Sequence, residues 1–170
     1  MRALVVYESM YGNTKTIAEQ IGQGLVGSGS VDVVEVGAAP DRIDRDVDLL
    51  VIGGPIHAWG LSRASSRLGA AEKAPNGLVS KGIGLREWLA EVRLDRDDLV
   101  AAAFDTRLRS RFSGSAVKTM RRRLRRLGVH GRITTEGFHV DSSTGPVSDG
   151  EADRAYRWGE TLAARVPVAR

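Results

Sequence analysis

Val5-Val6-Tyr7-Glu8-Ser9-Met10-Tyr11-Gly12-Asn13-Thr14-Lys15-Thr16-Ile17-Ala18 is the stretch on which the fold turns. An apolar strand stops at a short turn rich in hydroxyl, Gly and Asn residues, and a helix starts at once. Backbone N–H groups, the hydroxyls of Ser9 and Thr14 and the positive end of a helix then converge on one point. Such a point binds phosphate. The Walker loop also joins strand to helix, but it is longer and ends in Gly-Lys-Ser/Thr. Here Lys15 follows Thr14, which sets an NTPase aside.

Working outward, strand-like and helix-like segments alternate, the pattern of βαβ units and a parallel sheet. The strands are read at Ala3–Tyr7, Val31–Val36, Asp48–Ile52, Leu99–Phe104 and within Val129–Val140, the last with a break near Glu136-Gly137. Helices are read from Asn13 to about Gly27, Gly84 to Val92, and Ser113 to about Leu127. A last helix opens on a capping box, Ser148 with Glu151 three residues later. Residues 37–47 read as loop or short helix, and residues 61–82 carry little pattern. No repeat, linker or composition shift divides the chain, so one domain over residues 1–170 is expected.

The 170 residues include no cysteine, which excludes disulfides, thiolate metal sites, cysteine nucleophiles and a Cys-x-x-Cys redox pair. Redox chemistry here would need a borrowed cofactor. No run of about 18 apolar residues is present, so no membrane span is expected. No charged-then-apolar leader is read at the N-terminus, and a cytoplasmic location is the default expectation. The net charge of +4 is uneven. Arg107 to Arg126 holds Arg107, Arg109, Arg111, Lys118, Arg121, Arg122, Arg123, Arg125 and Arg126 without one acid. A solvated helix face, docking of an acidic partner or anionic membrane surface, and nucleic-acid binding all stay open for it. No aromatic residues alternate with the arginines as stacking platforms, which speaks against nucleic acid.

Several motifs fall away. Gly22-x-Gly24-x-x-Gly27 lies at the end of the first helix instead of at a strand-to-helix turn, so it reads as packing and a helix stop. His57, His130 and His139 have no metal-ligand spacing. No Gly-x-Ser-x-Gly elbow and no nucleophile stand out. Asp105, after a strand, reads as a loop cap ahead of a general base.

The first loop resembles the flavodoxin family, on Val5, Val6, Tyr7, Ser9, Gly12, Thr14, Ala18 and Ile21. That resemblance implies a doubly wound α/β fold, a five-stranded parallel sheet in the order 2-1-3-4-5 with helices on both faces. The ligand then sits beyond the C-terminal strand ends, at the switch point. It implies flavin mononucleotide (FMN) as cofactor, with Ser9, Met10, Tyr11, Gly12, Asn13 and Thr14 around its phosphate. The second loop, Gly54-Pro55-Ile56-His57-Ala58-Trp59, resembles the family's flavin-stacking loop, and either Trp59 or His57 fills that place, with Trp59 preferred. Asp105, Thr106 and Arg107 fall where the family covers the pyrimidine edge. Arg107, Arg109 and Arg111 depart from the family there. An arginine at that edge would stabilise the charge of a reduced flavin.

The implied function is FMN-dependent electron transfer. The redox partner is a protein or a small-molecule acceptor. An oxidoreductase acting on a quinone or protoporphyrinogen, or a cofactor-free interaction domain, are the alternatives.

Overall fold

The computed structural model describes residues 1–57, 60–96, 98–109 and 114–167. The chain runs β1 (Arg2–Tyr7), α1 (Asn13–Val26), β2 (Ser30–Glu35), β3 (Arg42–Ile43), β4 (Leu49–Pro55), α2 (Ala64–Ala71), α3 (Leu85–Glu91), β5 (Arg93–Leu94), β6 (Val100–Leu108), α4 (Ala116–Arg126), β7 (Ile133–Val140) and α5 (Glu151–Ala163). Five strands form one sheet in the order β2-β1-β4-β6-β7, every neighbouring pair parallel. Counted within the sheet this is 2-1-3-4-5, as expected. The two-residue strands β3 and β5 pair separately in parallel and were not anticipated.

Period-two alternation divides the strand residues between two cores. Val5, Leu49, Val51, Phe104 and Phe138 face α1 and α5, where they meet Ile17, Ile21, Ala155 and Leu162. Leu4, Val6, Leu50, Ile52 and Ala103 face the other way, toward Leu85 and Trp88 of α3 and Met120 and Leu124 of α4. The central strands read as unbroken apolar runs because both faces are covered.

Four expectations are corrected. β6 continues past Phe104 to Leu108, because Asp105, Thr106, Arg107 and Leu108 pair in register with Gly137, Phe138, His139 and Val140 of β7. What reads as a loop is half strand. β7 crosses Glu136-Gly137 unbroken. The featureless stretch 61–82 contains α2, a helix that buries only Ala70 and leaves Leu68 exposed, so no apolar stripe marks it. Lastly, Ser148 does not cap α5. Its hydroxyl donates to Asp141 at 2.6 Å, Gly150 caps the helix in the left-handed region, and Glu151 instead accepts from the His139 amide at 2.6 Å.

Gly22, Gly24 and Gly27 have separate jobs. A Cβ on Gly22 would lie 2.5 Å from Val33 of the sheet, and one on Gly24 2.1 Å from the Tyr156 carbonyl of α5. The packing role of Gly22 is helix on sheet, and that of Gly24 is helix on helix. Gly27 follows the last residue of α1.

Candidate functional site

Three segments meet beyond the C-terminal ends of β1, β4 and β6. They enclose a cleft of about 650 Å³, inside the roughly 300–1,000 Å³ typical of small-molecule sites. It lies where the connection from β1 leads outward to β2 and that from β4 leads to β6, the switch point of the sheet.

The first wall is the turn between β1 and α1. Gly12 takes φ +98°, which a residue with a Cβ adopts only under strain, although the space beside it is open. This conformation lets Ser9 Oγ accept the Gly12 amide at 3.1 Å and starts α1, whose Thr16 amide donates to the Gly12 carbonyl at 2.9 Å. The turn is braced from below. Ser9 N–H donates to Ser80 Oγ at 2.9 Å, and the Ser80 and Val79 amides donate to the Ser9 and Met10 carbonyls. Tyr11 spends its hydroxyl on the Ala70 carbonyl at 3.0 Å, which ties α2 to the turn. Thr14 Oγ1 and Thr106 Oγ1 are 2.8 Å apart. If Thr106 supplies that proton, Thr14 keeps its own for a ligand. Among the described residues, the amides of Met10, Tyr11, Asn13 and Thr14 have no protein acceptor. Four free donors at a helix N-terminus are what an anionic oxygen cluster requires.

Pro55, Ile56 and His57 form the second wall. His57 is bridged to Gly60, its amide donating to the Gly60 carbonyl at 2.7 Å and its carbonyl accepting the Gly60 amide at 3.0 Å. Burial and the nearby Arg67 charge hold its imidazole below the ordinary 6.5, so it is neutral at pH 7. Ala58 and Trp59, the preferred stacking residue included, lie outside the described residues.

Thr106, Arg107 and Leu108 make the third wall. Asp105 is fully buried and lies behind it. Its Oδ2 accepts the Ala116 and Val117 amides at 2.9 and 3.2 Å, and its Oδ1 accepts Arg107 Nε at 2.6 Å. Burial pushes this carboxyl up, against the pull of Arg107 and the two amides. The loop-cap reading of Asp105 therefore fits the geometry, as the anchor of α4. Asp105→Ala is expected to lower stability by about 2 kcal/mol through the lost cap, read as the shift of a urea midpoint. Asp105→Asn, which keeps an acceptor for the amides, should lose less.

The same pairing corrects the arginine expectation. Arg107 lies over Gly137 and is neutralised by Asp105, so it brings no free positive charge to the cleft. Arg109 is exposed, and Arg111 lies outside the described residues. Gly54 and Gly12 do not line the cleft. Gly54 packs toward Leu85 and Leu61, and a Cβ there would lie 3.0 Å from Leu85.

Sequence reasoning missed a fourth wall. Ser66, Gly69, Ala70, Glu72 and Lys73 from α2 and the residues after it complete the cleft, with Val140 at the end of β7 and Ser143 beyond it. The only hint was the hydroxyl of Tyr11, which needs a partner once buried.

Comparison with known proteins agrees with this geometry. Residues 4–74 match the family model described as a flavodoxin domain. No curated protein matches the chain. Among solved structures it is similar to a flavodoxin from the domain Archaea, at 20% identity and TM-score 0.62 over 98% of this chain and 99% of that one. It is also similar to flavodoxin 1 from Bacillus cereus, at 15% identity and TM-score 0.66 over 98% and 100%. A flavone reductase aligns at 12% identity and TM-score 0.62, over 98% of this chain and 63% of its own. Identities this low establish the shared fold. The chain thus has the flavodoxin-like α/β fold from end to end, and residues 4–74 carry the flavodoxin-domain signature.

Proposed function

We propose that this protein is an FMN-dependent electron-transfer protein of the flavodoxin type. The observation that carries the reading is the set of four amides, from Met10 to Thr14, without an acceptor among the described residues, at the head of a cleft of about 650 Å³. Met10, Tyr11, Asn13 and Thr14 would hold the phosphate, with Ser9 Oγ fixing the turn through Gly12. Pro55, Ile56 and His57 would border the ring on one side and Thr106 on another. Trp59 or His57 would stack on it. FMN, when bound, supplies the one- and two-electron chemistry, and the protein supplies binding, orientation and exclusion of water. A neutral His57 adds no charge beside the ring. The role in this reading is transfer of electrons to a protein or small-molecule acceptor. Among the described residues no helix is long and apolar enough to cross a membrane, and we place the protein in the cytoplasm.

Titration with FMN, followed by quenching of flavin fluorescence, is the test. Saturable uptake of one FMN per chain is expected. Thr14→Val, which removes the hydroxyl without changing the shape, should weaken it at least tenfold, since a hydrogen bond to a charged group is worth roughly 1.5–3 kcal/mol and about 1.4 kcal/mol is tenfold. Folded protein that takes up no FMN would end this reading in favour of a cofactor-free domain.

A further inference from the structure

A second cleft, of about 470 Å³, opens on the α4 side of the first. Arg63 enters it from the start of α2, Arg86 from α3, and Arg122, Arg123 and Arg126 from α4. Thr119 adds a hydroxyl. Sequence reading saw only the run on α4. Arg63 and Arg86 are distant in the chain and join it through folding.

Among the described residues, none of these five arginines forms an ion pair with a carboxylate. Arg86 is fixed by donating to the Ser62 and Leu61 carbonyls at 2.9 and 2.7 Å, bonds to neutral acceptors that leave N–H groups free for a ligand. Burial and the like charges of Arg63 and Arg123 hold that guanidinium below its ordinary value. A solvated helix face would let such charges spread apart. A concave site concentrates them and focuses their potential on an anion. All five are arginines, whose planar forks match phosphate and carboxylate in pairs of hydrogen bonds. The confined volume suits a small molecule better than a protein surface.

His57 and Ser66 line both clefts. We propose that the arginine cleft binds a small molecule carrying two or more phosphate or carboxylate groups, whose remaining part reaches across His57 and Ser66 into the first cleft. The anion site stands by itself. Its use in electron transfer rests on the flavin reading above.

Calorimetric titration with inorganic pyrophosphate and, separately, citrate tests it, on the protein as purified and after saturation with FMN. One saturable site is expected, weakening with added salt. The preferred probe tells phosphate from carboxylate. The exposed pair Arg122→Gln/Arg126→Gln should weaken binding at least tenfold while FMN affinity stays within twofold. In the FMN-loaded protein, the anion should shift the flavin absorbance band. Uptake of neither probe, equal uptake by the double variant, or binding only to poly-glutamate or anionic vesicles would overturn the site. Saturable anion binding with an unmoved flavin band would overturn the reach into the first cleft. Pyrophosphate binding by protein that takes up no FMN would remove the flavin reading and leave the anion site standing.

Discussion

Gly159→Ala is expected to lower the melting temperature by about 6–12 °C. The helices α1 and α5 cross backbone on backbone. A Cβ on Gly159 would lie 2.4 Å from the Ile21 carbonyl and 3.2 Å from Gly24 Cα. Neither is the end of a flexible side chain, so the helices must move apart. Separation loosens Ile17, Ile21 and Leu25 from Ala155 and Leu162, all buried in one core. Overpacking of this kind costs about 3 kcal/mol, the upper end of the usual range, and each kcal/mol is about 2–4 °C at this chain length. Gly24→Ala should do the same from the other side. The double variant should cost less than the sum of the two, because the first methyl already opens the crossing. Gly69→Ala is the control. It lies within α2 with nothing inside 4 Å of the added carbon, so stability should rise by up to about 1 kcal/mol. A Gly159→Ala protein melting within about 2 °C of wild type would overturn the close crossing.

Glu8→Ala is expected to cost about 3 kcal/mol, from two stranded buried donors at roughly 1–3 kcal/mol each. Glu8 lies between β1 and the turn that leads to α1, fully buried. Its oxygens accept the Ser62 hydroxyl and the Leu85 amide, the latter at 2.8 Å. Arg67 donates to the same Ser62 at 2.9 Å and pairs with Glu87 at 3.1 Å. Burial pushes the Glu8 carboxyl above its ordinary 4.5, opposed by Ser62, the Leu85 amide and Arg67. The folded chain therefore holds a proton that the unfolded chain has released. Its stabilising effect is complete below pH 4.5 and is lost as pH rises through the folded value. Glu8→Gln cannot titrate, so the fall of stability as pH rises from 4.5 should be shallower than in wild type. Urea unfolding of both proteins at several pH values checks this. An unchanged slope would sink the claim that Glu8 titrates late.

Much of the sheet was legible in the chain. Continuous apolar runs at Leu49–Ile52 and Ala101–Phe104 announce strands covered on both sides, and the Ser9–Thr14 turn announces the junction of β1 with α1. The errors share a cause. α2 escaped notice because it packs through one buried alanine. β6 extends further than the apolar pattern because Asp105 and Arg107 compensate each other within the sheet, and β7 pairs with that extension across Glu136-Gly137. Ser148 and Glu151 have capping-box spacing, yet Asp141 and His139, brought close by tertiary structure, take their hydrogen bonds.

The sequence by itself determined the five strands of the main sheet in outline, the helices α1, α3, α4 and α5 and the first turn, since these follow from local periodicity and the conformational freedom of Gly12. Only the tertiary structure decided which charges are spent and which are free. Arg107 is cancelled by Asp105, two positions away on the same face of β6. Arg63, Arg86 and Arg122, scattered along the chain, are left facing one cleft. Charge compensation depends on distance through space, falling off over a few ångströms. Spacing along a sequence does not carry that distance once the chain has folded back on itself.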